Sequence, residues 1–164
     1  MLGCYIAWRN SGRPQKLGVP GEELSKVMYA LIEADAYIDS RILVMGGGDS
    51  AVEAAMGLAH QRGNRVTLSY RKPEFSRLKE RNNQRIRECI RGGKLSVVFN
   101  SQPLEIREKS VVLQVAGGRR DIPNDYVWVF AGGMSPNAFL EKIGVRLGRQ
   151  DLSDQVKAEA RDVA

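Results

Sequence analysis

Gly46-Gly47-Gly48-Asp49-Ser50-Ala51 fits the spacing G-x-G-x-x-[GA]. The chemistry served by that spacing is the cradling of a dinucleotide's diphosphate. Gly46 lets the chain turn tightly in conformations that a side chain forbids. Gly48 removes a side chain where backbone approaches the phosphates, and Ala51 is small enough for a helix to pack closely on the preceding strand. The helix that opens there turns unpaired N–H groups and the positive end of its dipole toward an anion.

A second group of residues selects among dinucleotides. About 20 residues after such a turn, an NAD-binding unit places an acid on the ribose 2′-hydroxyl. This chain has Ser69-Tyr70-Arg71-Lys72 there, with Glu74 and Arg77 just beyond. Two cations at that position suit a 2′-phosphate, Arg71 as a bidentate donor and Lys72 as a point charge. Tyr70 offers a ring for adenine. The expectation is NADP(H) in preference to NAD(H), with Arg77 and Arg81 extending the phosphate pocket.

These residues need a scaffold, and the apolar pattern supplies one. The run 41–45, Arg-Ile-Leu-Val-Met, is continuous, short and β-favouring, as in a strand buried on both faces of a parallel sheet. Residues 49–62 carry Ala51, Val52, Ala55, Met56 and Ala59 at helical spacing and stop at Gly63. A second strand is predicted over 66–70, giving one βαβ unit with a right-handed crossover. Ser76 is positioned to cap a further helix ending near residue 91, followed by a third strand over 95–99. Upstream, Leu24, Val27, Met28, Leu31 and Ile32 predict a helix over 23–36. Downstream, short runs at 104–107, 111–115 and 119–122 read as an antiparallel meander. A last buried strand, 126–130, ends in Ala131-Gly132-Gly133. The fold class expected is α/β: a Rossmann-like three-layer domain with a central parallel sheet and a small β-meander. Residues 1–22 read as a linker containing a short strand, 23–145 as the NAD(P)-binding domain, and 146–164 as a polar tail.

Composition narrows the alternatives. With 43% hydrophobic residues in 164, the chain can bury a core and is not a disordered polypeptide. No apolar run approaches the roughly 20 residues of a membrane-spanning helix, and the start lacks the pattern of a signal peptide. Cys4 and Cys89 have no metal or dithiol spacing, which points to a reducing, cytoplasmic setting. A lone histidine, His60, leaves little scope for a zinc site or a histidine-based triad. The net charge of +6 is local: residues 65–94 hold ten basic and three acidic side chains, and the remainder sums to −1. It belongs to the candidate phosphate pocket and to a solvated helix face (Lys79, Arg85, Arg87, Arg91) rather than to nucleic-acid binding, for which stacking aromatics are few.

With these motifs placed, the chain resembles the NADPH-binding domain of thioredoxin-reductase-like pyridine nucleotide-disulfide oxidoreductases, of the ferredoxin–NADP reductase and bacillithiol disulfide reductase type. The resemblance rests on Lys16-Leu17-Gly18-Val19-Pro20-Gly21-Glu22, on Gly46 through Glu53, on Tyr70-Arg71-Lys72 with Phe75, and on Phe130-Ala131-Gly132-Gly133 with Pro136, spanning about residues 12–145. It implies Glu53 near the nicotinamide, Arg71 and Lys72 on the 2′-phosphate, and Ala131-Gly132-Gly133 where the chain passes back toward a flavin domain. Two departures stand out. No C-x-x-C exists, Val27-Met28-Tyr29-Ala30 lying in that region, so dithiol reduction by this chain is not expected. The flavin domain's own glycine turn is missing, so FAD is expected only in a complete parent protein. The resemblance thus implies hydride delivery from NADPH to FAD, with no residue acting as acid, base or nucleophile. The expected partner is the flavin domain, with a second copy of the chain also considered; neither nucleic acid nor membrane is expected. A non-catalytic NADP(H)-binding sensor or interaction module is the alternative.

Overall fold

In the computed structural model, which describes residues 15–132, the elements begin with β1 (Val27–Met28), β2 (Arg41–Met45), α1 (Asp49–Ala59), β3 (Arg65–Ser69) and α2 (Glu80–Arg91). They continue with β4 (Leu95–Val98), β5 (Gln102–Ile106), β6 (Ser110–Val115), β7 (Gly118–Pro123) and β8 (Tyr126–Val129). All lie in the first of two compact units, Met1–Met134.

Side-chain alternation along β2 shows how the layers form. Ile42 and Val44 face a core shared with α1 and α2, while Leu43 and Met45 face a second core shared with β5, β6 and β7. Covered on both sides, a strand must be apolar throughout, which accounts for the uninterrupted run. β8 repeats the pattern, with Trp128 on the helix side and Val127 and Val129 on the other. The sheet order is β1-β8-β2-β3-β4, all parallel, and β5-β6-β7 form a separate antiparallel sheet. The result is the expected Rossmann-like α/β architecture with its meander.

Two larger expectations about local structure, and one helix boundary, are corrected. Residues 23–36 form no helix. Turns close Leu24 N onto Gly21 O and Val27 N onto Leu24 O, and Val27 and Met28 then pair with Val127 and Trp128. Leu24, Val27 and Tyr29 pack into the meander-side core, whereas Met28 and Leu31 pack into the helix-side core. The helix-like spacing arises because one extended segment feeds two cores. Tyr37 closes the segment by packing edge-on against Trp128 at 4.7 Å.

The other correction concerns α2, which starts at Glu80 rather than near Ser76. The Ser76 hydroxyl sits 3.3 Å from Lys72 Nζ, and Lys79, the residue just before the helix, donates its N–H to Asp49 Oδ1 at 3.1 Å. No side chain caps the helix itself; a carboxylate from α1 instead fastens the residue that precedes it. The predicted strand within residues 1–22 is absent from 15–22, and residues 1–14 lie outside the described residues. α1 ends at Ala59, three residues earlier than its apolar pattern suggested.

Candidate functional site

The carboxyl ends of β2, β3 and β8 open on one cleft. β2 is central, with β3 on one side and β8 on the other, so the chain departs from it in both directions. That is the switch point at which open α/β sheets bind ligands. The cleft has a volume of about 590 Å³ and is floored by Gly46, Gly47 and Gly48. Gly46 has φ +140, and a Cβ there would lie 2.6 Å from Phe130 O. A Cβ on Gly47 would lie 2.2 Å from the Tyr70 ring, whereas one on Gly48 would meet nothing within 4 Å. The first two glycines are thus needed by the fold, and the third leaves its surroundings open to a ligand. No side chain caps α1, whose first backbone bond runs from Val52 N to Gly48 O, so N–H groups at the helix start remain for an anion.

Arg71, Lys72 and Arg77 line the same cleft from the loop that joins β3 to α2. Among the described residues none of the three is in an ion pair, and Lys72 has only the Ser76 hydroxyl. Three cations without carboxylate partners on the wall of one cleft have the chemistry to suit an anion. Tyr70 is 8% exposed, beneath Gly47 and stacked on Phe75 (5.7 Å, 14°). It forms part of the cleft wall. Buried Ser69 and Ser101 close the wall with linked hydroxyls 2.8 Å apart.

The opposite wall is a strap, residues 15–22, that gave no periodic signal. Gln15, Lys16, Leu17 and Val19 face the cleft, and Gln15 N donates to Gly132 O at 3.1 Å. Glu22 clasps the strap by accepting from Leu17 N at 2.6 Å, Gly18 N at 2.8 Å and the Tyr29 hydroxyl. Burial pushes the Glu22 carboxyl upward, but the Tyr29 hydroxyl, the two backbone N–H groups and Lys16 outweigh it and leave the pKa below the ordinary value. Tyr29 shifts the other way, raised by burial and by the Glu22 carboxylate.

Of the residues singled out from sequence, Gly46, Gly47, Gly48, Tyr70, Arg71, Lys72, Arg77, Ala131 and Gly132 are brought together around the cleft. Asp49, Ser50, Ala51 and Glu53 lie on α1 and are not among its lining residues; Gly133 lies outside the described residues. Asp49 and Glu53 turn toward α2 instead, where Asn82 Nδ2 donates to Asp49 Oδ1 at 2.7 Å and to Glu53 Oε1 at 2.8 Å. Held this way, an acid in the diphosphate turn is directed away from the phosphates it would repel. Asn82 and Gln15 were missed because their partners are far off in the chain. Glu22 was legible only as part of the quoted 16–22 motif.

Fold and cleft together define a Rossmann-like domain. Residues 6–159 match the pyridine nucleotide-disulphide oxidoreductase family, and the chain belongs to that family. It is 34% identical over 151 residues to the bacilliredoxin reductase Bdr of Bacillus subtilis, covering 90% of this chain and 46% of that protein. It is 33% identical to a ferredoxin–NADP reductase of Ignicoccus hospitalis, covering 87% and 48%. Among solved structures, the bacillithiol disulfide reductase Bdr (YpdA) of Bacillus cereus superimposes with a TM-score of 0.76 at 34% identity, over 84% of this chain and 42% of that one. Lactococcus lactis thioredoxin reductase gives 0.70 at 28%, over 81% and 46%. The chain spans about half the length of these relatives. Among the described residues no helix is long and apolar enough to cross a membrane.

Proposed function

We propose that residues 23–145 are the NADP(H)-binding domain of a flavin-dependent oxidoreductase. The observation that carries this reading is the convergence of Arg71, Lys72 and Arg77, without ion-pair partners among the described residues, on a cleft floored by the glycine turn. The cleft's volume falls in the range of small-molecule sites. Backbone N–H groups of the Gly48–Ala51 turn would hold the diphosphate, with Arg71, Lys72 and Arg77 on the 2′-phosphate. Ala131 and Gly132 would border the nicotinamide end, and Glu53 would help place the nicotinamide. When bound, the reduced nicotinamide supplies a hydride. The chain's own residues bind and orient, and none acts as acid, base or nucleophile.

The acceptor would be FAD in a flavin domain of the parent protein, with onward transfer to a disulfide, a ferredoxin or another acceptor. The coverage of about half of each relative supports such a missing partner. A cytoplasmic location follows from the same reading. The test is to titrate the chain with NADPH and NADH, then add a flavin domain and follow NADPH oxidation. Selective NADPH binding with oxidation on reconstitution supports the reading. Equal affinity for the two nucleotides removes the 2′-phosphate assignment, and selective binding without oxidation favours the sensor alternative.

A further inference from the structure

We propose that Asn82 is a positioning residue that sets the preference for a 2′-phosphorylated nucleotide, by locking the cationic loop to the helix that opens at the glycine turn. The inference rests on the NADP(H) reading above. Asn82 lies in the first turn of α2 and is 4% exposed. Both N–H bonds of its amide are used, one on Asp49 and one on Glu53, carboxylates a helical turn apart on α1. The orientation is unambiguous, since a reversed amide would aim its oxygen at two carboxylates. Asp49 Oδ1 also takes the backbone N–H of Lys79, so the start of α2 is fastened to the start of α1.

The loop between Tyr70 and Lys79 is thereby pinned at both ends. At the near end Tyr70 lies under Gly47 and donates its N–H to Val98 O at 2.9 Å. At the far end the Asn82–Asp49–Lys79 cluster holds it. Arg71, Lys72 and Arg77 all lie between these two points. A ligand phosphate gains most from cations already in place, because ordering them on binding costs affinity. Loss of the far anchor therefore weakens the 2′-phosphate contact in particular. Effects of the freed Asp49 and Glu53 charges on the diphosphate are shared by NADPH and NADH, and cancel in the ratio of their affinities.

The test measures dissociation constants of NADPH and NADH for the 164-residue chain, Asn82→Ala, the isosteric Asn82→Asp, Arg71→Ala and the Arg71→Ala/Asn82→Ala double variant. Trypsin cleavage is followed in parallel without nucleotide. The preference for NADPH should fall about tenfold in Asn82→Ala, the loss of one charge-assisted hydrogen bond between the loosened cationic loop and the 2′-phosphate. In the Arg71→Ala background the same change should cost less, because the two residues act on one contact. Cleavage after Arg77 and Lys79 should quicken, while cleavage after Arg119 and Arg120 in the meander stays at the wild-type rate. A folded Asn82 variant with the NADPH to NADH ratio unchanged, or with loop cleavage unaltered, overturns the proposal. A wild-type chain indifferent between the two nucleotides overturns instead the reading on which it rests.

Discussion

Replacing Arg71 by alanine removes a guanidinium from the corner of the cleft without touching the sheet, since the side chain is exposed and in no ion pair among the described residues. A hydrogen bond to a charged group contributes about 1.5–3 kcal/mol. Exposure to solvent screens this contact, so the lower end applies, about 1.5 kcal/mol, or about a tenfold loss of NADPH affinity. NADH has no phosphate at this position and should change by less than about twofold on the same scale. Calorimetric titration of both nucleotides near 0.1 M salt reads the difference, and raising the salt should narrow it as the remaining cations are screened. Equal losses for the two nucleotides, or no loss for either, would show that the 2′-phosphate does not lie at Arg71.

Glu22→Ala deprives Leu17 N, Gly18 N and the Tyr29 hydroxyl of their acceptor, and should cost about 1–3 kcal/mol in denaturant unfolding with faster tryptic cleavage after Lys16. Because the folded Glu22 pKa is below its unfolded value, its contribution is full above the ordinary carboxylate range. It is lost as pH falls through the folded value, so a wild-type acid-unfolding curve should be steeper there than that of Glu22→Ala. Gly46→Ala forces a Cβ to 2.6 Å from Phe130 O at φ +140 and should destabilise by about 1–3 kcal/mol or more, seen as a lower Tm with nucleotide binding lost. The chain should be retained on 2′,5′-ADP resin and released by NADP⁺ at salt concentrations that already release it from heparin; firmer retention on heparin would point to the basic face of α2 as the ligand site.

Where short-range rules suffice, the order of residues already fixes the outcome. The apolar run 41–45, the glycines after it, the helical spacing from residue 49 and the cations after β3 are each set by neighbours a few residues away. A βαβ unit has one favoured hand, so these pieces also imply where the cleft opens. The rest was settled by packing between segments distant in the chain. Residues 23–36 have a spacing that suits an isolated helix, but Val27 and Met28 find partners in β8, a hundred residues on, and a two-sided core rewards extension more than propensity rewards coiling. The start of α2 depended on Asp49, thirty residues earlier than the N–H it accepts. Asn82 has no distinguishing local signal; its significance comes from a buried amide whose two donors meet carboxylates of another helix, a fact of packing that no window of neighbouring residues contains.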